Sequence, residues 1–194
     1  MPSLSRDFRN QLARVTLEAR EVAERACRAA LENLAVHEKE YRGHMSVEQR
    51  QLRNRLRARG RALGDERDAS KQTQGVKRLT EDAAYEQWHR LLFTRFLVEN
   101  HLLNTDDEQG NVPVTMEDCE ELAAELNAKD GFDLACRFAS RTLPSVFRSD
   151  DPIFDLPIAQ RDHVEMRRIL DSLPSAIFTA SDSLGWTYQF WQAQ

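Results

Sequence analysis

The pattern of apolar positions starts with a heptad repeat near the beginning of the chain. Steps of four and three separate its seven members, which are Phe8, Leu12, Val15, Ala19, Val22, Ala26 and Ala29. This spacing predicts a helix over about residues 5–36 with one narrow apolar stripe. Because three of the seven residues are alanine, another helix can approach closely. We favour a hairpin arm, with a coiled-coil dimer as the alternative.

A second helix is predicted from Ser46 to about Leu63. Ser46 and Gln49 have the spacing of a capping box, in which each side chain caps the backbone of the other. Gly64 follows the last helical position, as expected for the residue that ends a helix. Residues 64–75 are polar, lack apolar periodicity and are predicted to form a flexible linker.

Further helices are predicted at about 76–103, from Thr115 with Asp118 as a capping box, at 132–143, at 159–172 and from Asp182 onward. Residues 104–114 are predicted to form an acidic loop, and no segment has the alternation of a strand. The fold class is therefore all-α, a long N-terminal helical hairpin arm followed by a multi-helix bundle. We expect the aromatic last helix still to be running at Gln194, which indicates a segment of a longer polypeptide.

Composition and charge divide the chain in two. The 194 residues carry a net charge of −5 and are 41% hydrophobic, which fits a helical globular protein. Residues 1–80 hold 18 basic and 11 acidic side chains, a net charge of +7, and the remainder has a net charge of −12. Without an apolar run of membrane-spanning length or a signal peptide, and with three scattered cysteines, a cytoplasmic protein without membrane contact is expected.

Six arginines and no acidic residue occupy positions 50–61. Four of them, Arg50, Arg53, Arg57 and Arg61, fall within an arc of about 80° on the predicted helix. Such a face repels itself unless anions neutralise it, so we assign these four residues to contact DNA phosphates. Two alternatives remain open, namely pairing with acidic residues of the same protein and a solvated face. Nothing resembles a helix-turn-helix or a zinc finger.

Motifs for catalysis are missing from the sequence. The histidines and cysteines lack metal-ligand spacing, no G-x-S-x-G elbow is present, and no glycine-rich phosphate loop occurs among the seven glycines. We assign no catalytic, metal-binding or cofactor-binding residue. The aromatic tail could stack bases, but its helical spacing favours packing, with Trp186 against Phe190.

Several stretches between residues 84 and 191 resemble one enzyme family. They are residues 84–90 (AYEQWHR), 95–100 (RFLVEN), 117–123 (EDCEELA), 143–148 (LPSVFR), 150–152 (DDP) and 182–191 (DSLGWTYQFW). Their content and order resemble the early part of the PglX-type adenine-specific DNA methyltransferases, in which D-x-L-G-W-x-Y-Q-F-W ends the N-terminal helical region. The resemblance covers about residues 76–194, and residues 1–75 match only as a helical arm.

The resemblance implies a parent enzyme that transfers a methyl group from S-adenosylmethionine to adenine N6 in bacterial restriction or phage defence of the BREX or DISARM kind. The glycine-rich cofactor loop and the N-P-P-[YF] motif of that family do not occur here, so no catalytic residue is carried over. The implied organisation is a basic helical hairpin arm (1–63), a linker (64–75) and a helical platform (76–194) leading into a downstream methyltransferase domain. Expected partners are DNA, that domain and defence-system subunits. The alternative is a protein–protein interaction module.

Overall fold

A computed structural model describes residues 3–107, 110–148 and 150–193, and these are mostly helical. In chain order the helices are α1 (Arg6–Asn33), α2 (Val47–Ala62), α3 (Lys77–Glu99), α4 (Met116–Leu122), α5 (Gly131–Thr142), α6 (Pro144–Phe147), α7 (Gln160–Asp171), α8 (Ser175–Phe178) and α9 (Ser183–Gln192). The predicted all-α, multi-helix class is confirmed. The last helix was expected to be still running at Gln194, which lies outside the described residues.

Two short antiparallel hairpins lie where loops were predicted. Strand β1 (Arg67–Asp68) pairs with β2 (Thr73–Gln74) inside the predicted linker. Strand β3 (Asn104–Asp107) pairs with β4 (Gly110–Pro113) inside the predicted acidic loop. Strands of two to four residues are too short to display an alternation of polar and apolar positions. The prediction of irregular structure was therefore wrong at both places.

The helix ends predicted from capping residues are confirmed. The Ser46 hydroxyl accepts a hydrogen bond from the Gln49 N–H at 3.2 Å, and the Gln49 side chain accepts one from the Ser46 N–H at 3.0 Å. Thr115 and Asp118 form the same reciprocal pair at the start of α4. Gly64 has φ of 100°, a left-handed conformation that favours glycine, directly after the C-cap of α2.

The buried face of α1 follows the predicted stripe for most of its length. Five of the seven positions are buried, namely Leu12, Val15, Ala19, Val22 and Ala26. Near the end of the helix Ala29 is exposed and Ala30 is buried instead. A straight α-helix has 3.6 residues per turn, so a strict heptad stripe drifts by about 20° per heptad. After three heptads the drift is large enough that Ala30, and not Ala29, lies on the buried face.

The chain forms two compact units, each assembled from separate stretches of sequence. Unit 1 comprises Met1–Leu17, His89–Ser149 and Ile169–Gln194. Unit 2 comprises Glu18–Trp88 and Asp150–Arg168, and it contains all of α2 and the β1–β2 hairpin. The division into an arm, a linker at residues 64–75 and a platform follows the order of the sequence, and it stays a prediction.

Unit 1 has an apolar core around α5. Its buried members are Leu97, Val98, Leu103, Val114, Cys119, Leu134, Ala135, Phe138, Ala139 and Phe147. The ring of Phe93 packs against this core, with its centroid 5.8 Å from the centroids of Phe96 and of Phe147. At the start of α5, Asp130 caps the helix by accepting a hydrogen bond from the Asp133 N–H. Burial of apolar area is thus the main source of stability in this part of the unit.

Asp182 connects the two ends of unit 1. Its carboxylate accepts the Leu4 N–H at 2.8 Å and the indole N–H of Trp186 at 2.9 Å. The guanidinium of Arg9 lies 5.1 Å from the centroid of the Trp186 ring. Trp186 also stacks on Phe190 at 5.5 Å, which confirms the contact predicted from helical spacing.

Candidate nucleic-acid interface

Helix α2 positions the four arginines that the sequence assigned to DNA, here called the basic stripe: Arg50, Arg53, Arg57 and Arg61. The helix has 16 residues and is fixed at its start by the capping box and at its end by Gly64. Arg50 and Arg61 are therefore separated by about 16 Å along the axis, at 1.5 Å per residue. The four side chains have different environments, which decide what each can bind.

Arg53 is buried, with 3% of its surface exposed. Its guanidinium donates hydrogen bonds to four main-chain carbonyls, at 3.0 Å (Ala35), 2.6 Å (Glu38), 3.1 Å (Lys39) and 3.1 Å (Glu40). The loop after α1 bends to bring these oxygens together, and Ala35 takes a positive φ of 51° in doing so. Burial lowers the pKa of Arg53, while the charges of Glu38 and Glu40 oppose that shift. Arg53 thus holds the loop that connects α1 to α2.

Arg57 contacts the same loop from the next turn of α2. Its guanidinium donates to the carbonyl of Val36 at 2.5 Å and to that of Glu38. Burial lowers the pKa of Arg57, and the neighbouring charges of Arg53, Arg67 and Arg61 lower it further. No acidic side chain among the described residues forms an ion pair with Arg57, so the positive charge at this point is not balanced locally.

Gln74 of the β1–β2 hairpin brings further arginines to this place. Only 2% of Gln74 is exposed, and its side chain donates to the Arg57 carbonyl at 3.0 Å while accepting from the Arg61 guanidinium at 3.2 Å. Arg67 is its register partner across the hairpin. The hairpin can approach this closely because residue 60 is a glycine and has no Cβ. A Cβ at this position would lie only 3.2 Å from the Gln74 amide nitrogen.

The result is a group of three like charges, here called the arginine cluster: Arg57, Arg61 and Arg67. Arg61 and Arg67 are exposed, and neither forms an ion pair with an acidic residue in the described part of the chain. Like charges four residues apart destabilise a helix by about 0.2–0.5 kcal/mol, so an added anion would relieve a real repulsion. The arginine cluster, which joins Arg57 and Arg61 of the basic stripe to Arg67 of the hairpin, is the place on this surface best suited to a phosphate.

Arg50, at the other end of the basic stripe, stacks on an aromatic ring. Its guanidinium carbon lies 4.3 Å from the centroid of the Tyr41 ring, within the distance of a cation–π contact. Tyr41 is 50% exposed. An aromatic ring that stays exposed beside a cation is a common arrangement in surfaces that stack bases.

The acidic partners that were the alternative prediction lie on the other flank of α2. Arg59 makes ion pairs with Asp82 at 2.7 Å and Asp151 at 2.5 Å. Burial acts to lower the pKa of Arg59, but the hydrogen bonds to both carboxylates outweigh it and the pKa is raised. Arg55 donates to the Asp150 carbonyl at 2.8 Å and lies 3.6 Å from the Asp155 carboxylate. Internal ion pairing is thus real, but it involves Arg55 and Arg59 and not the basic stripe.

Three contributors to this surface were not predicted, namely Tyr41, Arg67 and Gln74. Arg67 and Gln74 fall in the segment predicted as a linker, so nothing indicated that they would face α2. Tyr41 lies in a connection without periodicity. The sequence signal that could have identified it is an aromatic residue in a polar connection within the segment of net positive charge.

Other candidate chemistry is buried or dispersed. The thiols of Cys27, Cys119 and Cys136 are buried. Burial raises the pKa of Cys27 to about 12 and that of Cys119 to about 11, so neither is a thiolate at neutral pH. Within the described ranges, no group of three or more histidine, cysteine and acidic side chains is placed to hold a metal ion.

A cavity of about 350 Å³ lies beside the first turns of α2. Apolar side chains and charged or amide groups both contribute to its lining, namely Leu34, Glu48, Gln49, Gln51, Leu52, Arg55, Asp155 and Pro157. Every one of these residues belongs to unit 2. The mixture suits a polypeptide segment better than a small charged ligand, because no single charge dominates the lining.

Comparison with known proteins identifies no relative: no family model, no curated protein and no solved structure matches the chain. Among the helices that the structure describes, none has both the length and the apolar character needed to cross a membrane.

Proposed function

We propose that the chain is a non-catalytic helical region of an S-adenosylmethionine-dependent DNA adenine-N6 methyltransferase of a bacterial restriction or phage-defence system. The support is the ordered set of family-like stretches between residues 84 and 191. Several of their charged residues have structural contacts: Asp151 pairs with Arg59, and Asp182 holds Leu4 and Trp186. Such contacts fit a platform more than an active site.

The cofactor belongs, in this proposal, to a methyltransferase domain outside the chain. Binding S-adenosylmethionine in such enzymes requires a strand that leads through a glycine-rich loop into a helix. In the part of the chain that the structure describes, the strands are two antiparallel hairpins with strands of two to four residues. These residues do not fit the cofactor, so no step of methyl transfer is derived from them.

The role proposed for unit 2 is to contact DNA phosphates through the arginine cluster. The observation that carries it is that Arg61 and Arg67 lie beside Gln74, close to Arg57, and that none of the three forms an ion pair with an acidic side chain among the described residues. Arg57 is occupied by main-chain carbonyls, so Arg61 and Arg67 are the residues proposed to meet the phosphates. Arg53 is excluded from this role by its burial, and Arg50 has a different contact.

The test is duplex binding by the variant Arg61→Gln/Arg67→Gln, measured by fluorescence anisotropy with a labelled 20-base-pair duplex. We expect the affinity at 50 mM salt to fall about tenfold, because two charge-assisted contacts are lost. The matched control, Arg14→Gln/Arg28→Gln, removes two exposed arginines of α1 and the same net charge. Equal affinities of wild type and Arg61→Gln/Arg67→Gln would contradict the proposal.

A protein–protein interaction module is the second candidate, and the cavity beside α2 favours it. Leu52 is half-buried in the lining, and the Arg55–Asp155 pair flanks it. If this candidate is right, Leu52→Glu abolishes co-purification with a subunit encoded beside the gene, while Arg61→Gln/Arg67→Gln leaves it intact. If Arg61→Gln/Arg67→Gln loses duplex binding while Leu52→Glu leaves co-purification unchanged, the result favours the DNA-binding role.

A further inference from the structure

Tyr41, which is exposed, and Arg50, which is half-buried, form a cation–π pair in unit 2. The ring of Tyr41 is half exposed in a connection between helices, although burying it would remove apolar area from water. Arg50 lies against the ring at 4.3 Å. No hydrogen bond of the Tyr41 hydroxyl occurs in the described part of the chain, so the contact with Arg50 is what orients the ring.

The pair stands at a definite position relative to the arginine cluster. Arg50 and Arg61 belong to the same stripe of α2, about 16 Å apart along the helix. That distance corresponds to about five nucleotide steps, at 3.4 Å for each nucleotide of a B-form strand. An oligonucleotide of about a dozen residues can therefore reach both places at once.

A stacking ring and a phosphate site serve different parts of a nucleic acid. A duplex offers phosphates to Arg61 and Arg67, but its bases are stacked on one another and cannot cover the Tyr41 ring. An unpaired strand offers phosphates and also free base faces, which stack on aromatic side chains irrespective of sequence. A guanidinium beside the ring adds attraction for the same strand.

We propose that Tyr41, oriented by Arg50, is a stacking site for an unpaired base, so that this face of unit 2 binds single-stranded DNA more tightly than duplex. The inference rests on the proposed contact between the arginine cluster and phosphate, and it adds the form of the nucleic acid. Arg61 and Arg67 hold the backbone of the strand, and Tyr41 holds one base.

The experiment compares a labelled 12-nucleotide thymidine strand with a 12-base-pair duplex, using the whole chain. Wild type is expected to bind the strand more tightly. Tyr41→Leu is expected to weaken strand binding about tenfold, since stacking contributes about that factor or more, and to leave duplex affinity within twofold. Tyr41→Phe keeps the ring and is expected to restore strand binding. Tyr188→Leu, which changes an exposed tyrosine of unit 1, serves as the control.

A second readout does not depend on affinity. A strand with 5-iodouracil at its central position is bound to the protein and the complex is irradiated. The cross-link is expected at Tyr41, and mass spectrometry identifies the site. The inference is overturned if Tyr41→Leu weakens the binding of strand and duplex by the same factor, or if it weakens the binding of neither. A cross-link at another residue would also overturn it. Failure of the proposed function is recognised separately, because Arg61→Gln/Arg67→Gln would then change neither strand nor duplex binding.

Discussion

Both units of this protein have buried apolar side chains, and they differ in what holds particular segments in place. Around α5, unit 1 relies on an apolar cluster that includes Phe138 and Phe147. In unit 2, the loop after α1 is held by guanidinium groups, with Arg53 and Arg57 bound to its carbonyls. Apolar packing depends on shape and volume, whereas the loop of unit 2 depends on satisfying buried polar groups. Arginines that perform that task are not available for a ligand.

This difference changes how a run of arginines is interpreted. Six arginines on one helix suggest a uniform basic surface, but they divide into three kinds. Arg53 and Arg57 bind carbonyls, and Arg55 and Arg59 contact the 150–155 segment, with Arg59 also paired to Asp82. Arg50, half-buried against Tyr41, and Arg61, which is exposed, lie at the two ends of the basic stripe. Of these six, Arg61, joined by Arg67 of the hairpin, is the one best suited to phosphate.

The largest expected effect is on unit 1. Phe138 is 4% exposed in the apolar cluster, and Phe138→Ala is expected to reduce the free energy of unfolding by about 4 kcal/mol, through lost burial and the cavity left behind. Urea denaturation followed by circular dichroism measures it. A loss below about 1.5 kcal/mol would mean that the cluster contributes less than its burial indicates.

A somewhat smaller loss is expected in unit 2. Arg53→Met keeps most of the side-chain volume but removes the donor that four carbonyls share, and it is expected to cost about 3 kcal/mol. Arg53→Lys retains the charge with fewer donors and should recover part of the loss. Arg28→Met, at an exposed position of α1, is the control and is expected to stay within about 0.5 kcal/mol of wild type.

An Arg53→Met variant as stable as the control would contradict the role given to Arg53 in holding the loop after α1. The same denaturation experiment decides this, because wild type and all three variants can be compared at one temperature and pH. The thiol of Cys27, which is buried in unit 2, adds a local readout. Its labelling should be faster in Arg53→Met than in Arg28→Met if the loop is loosened.

The smallest expected effect depends on pH. The hydrogen bond from the Leu4 N–H, the one from the Trp186 indole and the charge of Arg9 lower the pKa of Asp182. A carboxylate with a lowered pKa stabilises the fold above its unfolded value of about 4, and the contribution is lost as pH falls through the folded pKa. Asp182→Asn should therefore melt below wild type at pH 7, with the difference shrinking towards pH 2.

Thermal melts between pH 2 and pH 7 measure that difference. Glu21→Gln, at an exposed position of α1, is the control and should show a much smaller dependence on pH. A gap between wild type and Asp182→Asn that stays constant over this range would contradict the role given to the ionised carboxylate.

The features that could be predicted from the sequence are those set by nearby residues. The capping boxes at Ser46 and Thr115 need only partners three positions away, so the starts of α2 and α4 were recognisable. Heptad spacing located the buried face of α1 until the drift of a straight helix moved it to Ala30. The fold class followed from such local signals.

The partners of the arginines could not be predicted in this way. Arg53 and Arg57 bind main-chain carbonyls, which every residue has, so no side chain in residues 35–40 marks them as acceptors. Arg67 reaches the cluster through a hairpin with two-residue strands, whose register with Gln74 leaves no pattern in the sequence. Identification of the basic stripe was therefore possible, whereas the separation of its structural from its exposed members required three-dimensional contacts.

The most direct test of the central claim is the salt dependence of duplex binding. Affinity is measured between 50 and 200 mM salt for wild type, Arg61→Gln/Arg67→Gln and Arg14→Gln/Arg28→Gln. Each phosphate contact contributes about 0.9 to the slope of log affinity against log salt concentration, so the first variant should lose about 1.8 from the slope. The second should keep the wild-type slope. Equal slopes for all three proteins, or an equal loss in both variants, would contradict a phosphate site at the arginine cluster.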